Sequence, residues 1–159
     1  MASNLNELID AFPRLMRGRP PRLPGYVGPG WHGLVMDVLR RIDALLDDAE
    51  ADAFSVDQIK EKFGRLQIYV SMAGHADLYG DFHTPGGVMR VTVPVSSSDT
   101  PRPDKLKTIN EVIAEATARS LLTCEECGSP GTLRPGGWMR TLCDHHEAAR
   151  RQARRDGEH

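Results

Sequence analysis

The chain has 159 residues, 40% of them hydrophobic, enough for one ordinary domain with a modest core. A formal charge of −2 and a pI near 6.3 exclude a protein that coats nucleic acid by bulk charge. Met1-Ala2-Ser3-Asn4 leads straight into an amphipathic pattern, and nowhere do about 18 apolar residues run together, so a cytoplasmic protein is expected.

Leu5, Leu8, Ile9 and Phe12 form an apolar stripe at helical spacing, with Asn4 placed to cap a short first helix and Glu7 as its capping-box partner. Residues 13 to 30 carry Pro13, Pro20, Pro21, Pro24 and Pro29 among Gly18, Gly25, Gly28 and Gly30, which predicts an extended arm. Arg14, Arg17, Arg19 and Arg22 meet no acid within that stretch, and Tyr26 is close by. They are candidate contacts for phosphates or an acidic partner; the same composition also suits a solvated linker.

From Trp31 to Leu46 the apolar positions Trp31, Leu34, Val35, Val38, Leu39, Ile42, Leu45 and Leu46 follow a helical period and predict the main core helix. Its far face and exit hold Asp37, Asp43, Asp47, Asp48, Glu50 and Asp52 against Arg40 and Arg41, an acidic ridge. Phe54 to Lys62 and then Leu66, Ile68 and Val70 alternate as two half-buried strands, reversed at Phe63-Gly64, and Val91, Val93 and Val95 predict a third. This small antiparallel sheet can lay one face on the Trp31 helix. Ile109, Val112, Ile113, Ala116, Ser120 and Leu121 then predict a helix that runs directly into Cys124.

Between the second and third strands, Gly74 to His83 reads as a glycine-bounded loop with His75, Asp77, Asp81 and His83. Two imidazoles and two carboxylates could bind Zn²⁺, Mn²⁺ or Fe²⁺ with open positions, as hydrolases do. A polar hairpin loop accounts for the same residues.

All three cysteines fall in one C-terminal pattern: Cys124-x2-Cys127, a 15-residue gap, and Cys143-x2-His146. Two knuckle cysteines can clasp a Zn²⁺ from one side, and a second pair at a helix start closes the tetrahedron, so one structural zinc is expected. Gly128 can take the positive φ that a knuckle needs. Gly131, Pro135, Gly136 and Gly137 punctuate short apolar stretches at Leu133 and Trp138-Met139, as in a small hairpin. A helix follows Cys143, with Asp144 and Glu147 in its first turn and Arg150, Arg151, Arg154 and Arg155 beyond. On that helix Cys143 and His146 share a face, while His145 lies about 100° away as the weaker ligand candidate.

The run Cys124-Glu125-Glu126-Cys127-Gly128 through Arg134 to Leu142-Cys143 resembles the C-terminal zinc finger of the DksA/TraR family of RNA polymerase regulators. That family's finger usually closes with a second C-x2-C, where this chain offers His146. Upstream, no long coiled-coil hairpin is legible, so the resemblance is confined to the finger. More widely, Gln58-Ile59-Lys60-Glu61-Lys62-Phe63-Gly64 together with Gly137-Trp138 to Cys143 resembles uncharacterised zinc-finger proteins of phages and prophages.

The expected fold is α+β: a small antiparallel sheet on one or two helices, with a C-terminal treble-clef-like zinc finger. The expected organisation is an N-terminal helix and Pro/Arg-rich arm over 1–30, an α+β core over 31–122, and the finger with its basic helix over 123–159. No G-x-S-x-G, P-loop or H-E-x-x-H is present, so a non-enzymatic docking protein is expected, acting on a protein complex of bacterial transcription or defence. Candidate partner contacts are Arg14, Arg17, Arg19, Arg22, Arg150, Arg151 and Arg154. Two alternatives stay open, a nucleic-acid-binding regulator and a hydrolase built on the His75–His83 segment. Residues 124–159 hold six arginines against six acids, so nucleic-acid binding would depend on placement of charge.

Overall fold

A computed structural model describes residues 2–16, 27–72, 75–84, 87–96 and 104–157. Arg17, Arg19, Arg22 and Tyr26 lie outside the described residues. Among those described, no helix is long and apolar enough to cross a membrane.

Helix α1 spans Ala2–Ala11 and α2 spans Pro13–Met16. Two expectations are corrected here. Asn4 sits inside the first turn of α1, because Ala2 and Ser3 extend the helix backwards. Pro13 opens a helical turn, a position where its missing N–H costs nothing, and Leu15 and Met16 of that turn are buried. Nor does Arg14 stand without acids. Its guanidinium donates to Asp43 Oδ1 at 3.2 Å, to Asp48 Oδ1 at 2.7 Å, and to the backbone oxygens of Asp43 and Leu46 at 2.7 and 3.1 Å. Asp48 and Asp43 together raise its pKa further.

After a 3-10 turn at Pro29–Trp31, helix α3 (His32–Leu45) buries Leu34, Val35, Val38, Leu39 and Ile42, the stripe its period predicts. The acidic ridge at its exit is organised from within the chain. Asp47 caps a further helix, α4 (Asp48–Ala53), through a capping box: its Oδ1 accepts the Glu50 N–H at 2.8 Å, and Glu50 Oε2 accepts the Asp47 N–H at 2.8 Å. Glu50 also takes Lys105 at 2.5 Å, which holds its carboxyl below the usual range, and Asp37 faces Arg40, Arg41 and Arg119.

Four strands, rather than three, form one antiparallel sheet in the order β1 (Phe54–Lys62), β2 (Arg65–Met72), β3 (His75–Thr84) and β4 (Gly87–Ser96). Phe63 (φ 53) and Gly64 (φ 75) make the β1–β2 turn, both left-handed as a two-residue hairpin of primed type requires. Strand β2 meets β3 at Ser71↔Ala76 and Met72↔His75, whereas β3 and β4 stay in register from His75↔Ser96 to Thr84↔Gly87. The outer hairpin therefore runs on as a two-stranded ribbon, with Pro94 on the edge strand where a missing donor is tolerated. Met89, Val91 and Val93 of β4 are exposed.

Helix α5 (Asp104–Ser120) is the element that packs on β2, and α3 packs in turn on α5. The sheet thus reaches α3 largely through α5. The α5–β2 contact is pinned by polar bonds as well as by Ile109, Val112, Ile113 and Ala116: Leu66 N–H donates to Ser120 Oγ at 2.9 Å, and Thr117 Oγ1 donates to Leu66 O at 3.1 Å. Each fully buried aliphatic side chain here contributes about 2 kcal/mol of transfer free energy. The fold is α+β, with the C-terminal finger built from β5 (Thr132–Arg134), β6 (Arg140–Leu142) and α6 (Asp144–Gly157).

Candidate metal centre

The finger begins where α5 ends. Cys124 N–H donates to Ser129 O at 2.8 Å and Gly128 N–H to Cys124 O at 2.9 Å, closing the knuckle, with Gly128 at φ 77 as the tight turn requires. Glu125 N–H donates to Thr141 O at 2.9 Å, which sets the knuckle against the β5–β6 hairpin. Cys143 then precedes α6, whose first turn returns His146 to the same point. Knuckle, hairpin and helix give the treble-clef-like arrangement.

The donor atoms of Cys124, Cys127, Cys143 and His146 all lie within 4.8 Å of one another and could hold one metal ion. His146 Nδ1 is 3.2 Å from Cys143 Sγ and 3.5 Å from Cys124 Sγ, and Cys127 Sγ is 3.9 Å from Cys143 Sγ. With metal–sulfur bonds of about 2.3 Å and a metal–nitrogen bond of about 2.0 Å, tetrahedral geometry sets the S···S edges at about 3.8 Å and the S···N edges at about 3.5 Å. These three separations match tetrahedral edges, and all four donors lie close enough to hold a single ion. His145 is exposed and meets His146 only edge-on, ring centroids 5.1 Å apart. His146→Ala is accordingly expected to reduce metal retention far more than His145→Ala, measured by competition with a colorimetric chelator; the opposite ranking would identify His145 as the ligand.

The thiols are tuned unequally. Hydrogen bonds from Ser129, through its hydroxyl and its backbone, bring Cys127 down to about 6. The backbone N–H of His146 lowers Cys143, and the Cys143 thiol in return raises His146. Burial pushes Cys124 up, opposed by amides of Cys143, Cys127 and Glu126 that point at its sulfur. Two of the three thiols thus lean towards thiolate, the form that binds metal.

Sequence reasoning missed what buttresses the knuckle, because the contacts come from far along the chain. Gly30 N–H donates to Glu125 O at 2.8 Å, and the Trp31 indole N–H donates to Thr123 O at 2.7 Å. A Cβ on Gly30 would lie 2.1 Å from Cys124 O and 2.4 Å from Gly128 N. On the other flank, Thr141 Oγ1 donates to Gly64 O at 2.5 Å, joining β6 to the β1–β2 turn. The sequence signal is the glycine pair flanking Pro29, whose composition alone implies a break in regular structure.

Most finger arginines are engaged by the chain's own carboxylates. Arg134 donates to Asp144 at 2.6 Å, and Arg140 grips Glu126 and, at 2.5 Å, the buried Glu125. Burial raises the Glu125 carboxyl, and Arg140 opposes the rise. Arg150 and Arg151 both donate to Glu147 at 2.7 Å, and Arg150 leads in holding that carboxyl down to about 2. Replacing Arg140 by Met is expected to destabilise the fold by about 2 kcal/mol, because it strands a buried carboxylate that is only partly open to water. Adding Glu125→Gln should recover part of that loss in a denaturation double-mutant cycle; equal stability of Arg140→Met and wild type would discount the pair.

The second metal candidate is corrected in its setting. Gly74 aside, the segment from His75 to His83 is strand β3, hydrogen-bonded along β4, and not a loop. His75 is buried at 2% exposure, while the side chains of Asp77, Asp81 and His83 lie outside the described residues. The long register with the valine-rich β4 decides the conformation over the local glycine and acid content.

No family profile, curated protein or solved structure matches the chain. What stands of the finger resemblance is the Cys3His cluster itself.

Proposed function

We propose that this chain is a zinc-stabilised binding protein without catalytic chemistry of its own, encoded by a phage or mobile element, that docks on a protein complex of bacterial transcription or defence. The observation that carries the reading is the closed cluster of Cys124, Cys127, Cys143 and His146. Three sulfurs and one imidazole in tetrahedral array are the donor set of structural zinc. Four protein donors leave no coordination position for water or substrate, so the metal's role is to fold the finger. The phage or mobile-element setting rests on the sequence resemblance of Gln58–Gly64 and Gly137–Cys143 alone. Pairing of Arg134, Arg140, Arg150 and Arg151 with the chain's own acids supports a protein partner over a phosphate backbone.

The test is affinity capture on the zinc-loaded, tagged chain from bacterial lysate, run in parallel with and without nuclease treatment. The reading expects one protein complex to be retained at about 200 mM salt. Retention of nucleic acid that collapses between about 50 and 200 mM salt would replace it with a phosphate-binding role. A hydrolytic activity lost on His75→Ala would replace it with an enzyme.

A further inference from the structure

Trp138, in the loop between β5 and β6, is 67% exposed, and its ring borders two clefts. One, of about 580 Å³, is walled by Phe63 at the β1–β2 turn and by Met139. The other, of about 480 Å³, is lined by Glu61, Glu125, Arg140, Arg150 and Arg154 together with Trp138. Arg150 donates to Trp138 O at 3.2 Å and fixes the loop's base. The Arg154 guanidinium nitrogens lie 3.7 and 3.9 Å from where a Cβ would stand on Gly136, in the same loop. Among the described residues, Arg154 makes no hydrogen bond or ion pair, in contrast to Arg140 and Arg150.

A large aromatic ring left in water beside an uncommitted arginine is the pairing that dominates protein interfaces. The charge of the face narrows the occupant. With Arg140 and Arg150 matched to Glu125 and Glu147, Arg154 is the surplus cation of the second cleft, Glu61, Glu125 and Glu126 line or adjoin it, and Lys62 borders the first cleft with its ammonium 5.4 Å from the centre of the Phe63 ring. A phosphate chain would run against those carboxylates, whereas one carboxylate beside one apolar side chain fits both clefts at once.

We infer that the face around Trp138 docks a partner-protein segment that sets an aromatic or branched apolar side chain between Phe63 and Trp138 and a neighbouring carboxylate on Arg154. This rests on the docking-protein reading and gives it a surface.

The experiment measures fluorescence anisotropy of labelled octapeptides on the zinc-loaded full chain, each peptide carrying one central aromatic or leucine side chain flanked by carboxylates. Saturable binding is expected. Replacing the carboxylates by amides should weaken it about ten-fold or more. Trp138→Ala and Arg154→Glu should each abolish it, while Gln152→Ala, exposed and about 200° round α6 from Arg154, should leave it unchanged. Because Trp138 and Arg154 are exposed, near-wild-type thermal melts are expected for both variants. Equal binding by the variants, or binding of oligodeoxythymidine in place of the peptides, overturns the inference. If the Trp138→Ala, Arg154→Glu double variant captures the same complex from lysate as wild type, the surface is wrong and the docking reading stands. If wild type captures none, the docking reading fails and takes this inference with it.

Discussion

Replacing Cys124 by serine is expected to strip the metal and unfold the finger, and to loosen the body with it. In the purified wild type, elemental analysis should find one zinc per chain. The binding free energy of a structural zinc in a finger is on the order of 10 kcal/mol, and a site of this kind converts it into folding free energy. A whole domain is stable by only about 5–15 kcal/mol, so this ligand set decides whether the C-terminal finger folds. Cys124 is the most telling position because it is fully buried and its amide and carbonyl close the knuckle. Damage should spread inwards, since Thr123 O holds the Trp31 indole and Glu125 O holds the Gly30 amide. Trp31 is itself fully buried, so its emission reports that spread. Cys143→Ser should behave in the same way. Less than about half an equivalent of zinc in carefully purified wild type, or a Cys124→Ser protein with unchanged melting, would remove the metal from the account.

That much of the centre could be read from sequence because its information is local. A C-x2-C step with a following glycine fixes a turn through covalent geometry, and Cys143 and His146 meet through the pitch of one helical turn. The same holds for α3, whose buried stripe from Leu34 to Ile42 is written in its period, and for the Phe63-Gly64 reversal. Harder to read was whatever depended on residues distant in sequence. Arg14 meets no acid within residues 13–30, yet α3 and α4 bring Asp43 and Asp48 to it. The acidic run from Asp43 to Asp52 reads as an open ridge until Arg14 and Lys105 arrive from other elements. Gly80 and the acids around it read as a loop, while cross-strand pairing with Val88 to Val95 makes His75 to His83 a strand. In each case tertiary pairing outweighed local composition.

Ion pairs within the finger account for its arginines. Four arginines on α6 and two on the β5–β6 hairpin suggest a basic surface, but Glu147 is buried beneath two of them and Glu125 beneath a third. An arginine fork that satisfies a buried carboxylate contributes to the shape of the finger and adds little net field. Among the described residues the pairing leaves Arg154 and Arg155 without a carboxylate, and the ring of Trp138 exposed, which sequence composition alone did not separate from the rest.

Gly30→Ala is expected to be the most damaging single change outside the metal ligands. The added methyl would lie 2.1 Å from Cys124 O, 2.4 Å from Gly128 N and 2.8 Å from Cys127 N, all backbone atoms that no side-chain rotation can clear. Either the Pro29–Trp31 turn lifts off the knuckle, breaking the Gly30 N–H bond to Glu125 O and the Trp31 bond to Thr123 O, or the knuckle distorts and its sulfurs leave the tetrahedron. Overpacking against rigid atoms costs about 3 kcal/mol or more, which for a chain of this length lowers the melting temperature by roughly 6–12 °C. Gly33→Ala is the matched control: it lies three residues on, in the first turn of α3, with nothing within 4 Å of its added carbon. There the methyl should stabilise the helix by about 0.5–1 kcal/mol. The pair is read by thermal melts of zinc-loaded protein together with zinc off-rates to a chelator. Gly30→Ala should melt lower and release zinc faster, and Gly33→Ala should melt higher at an unchanged off-rate. If Gly30→Ala keeps both the wild-type melt and the wild-type off-rate, the N-terminal turn does not brace the metal centre in solution.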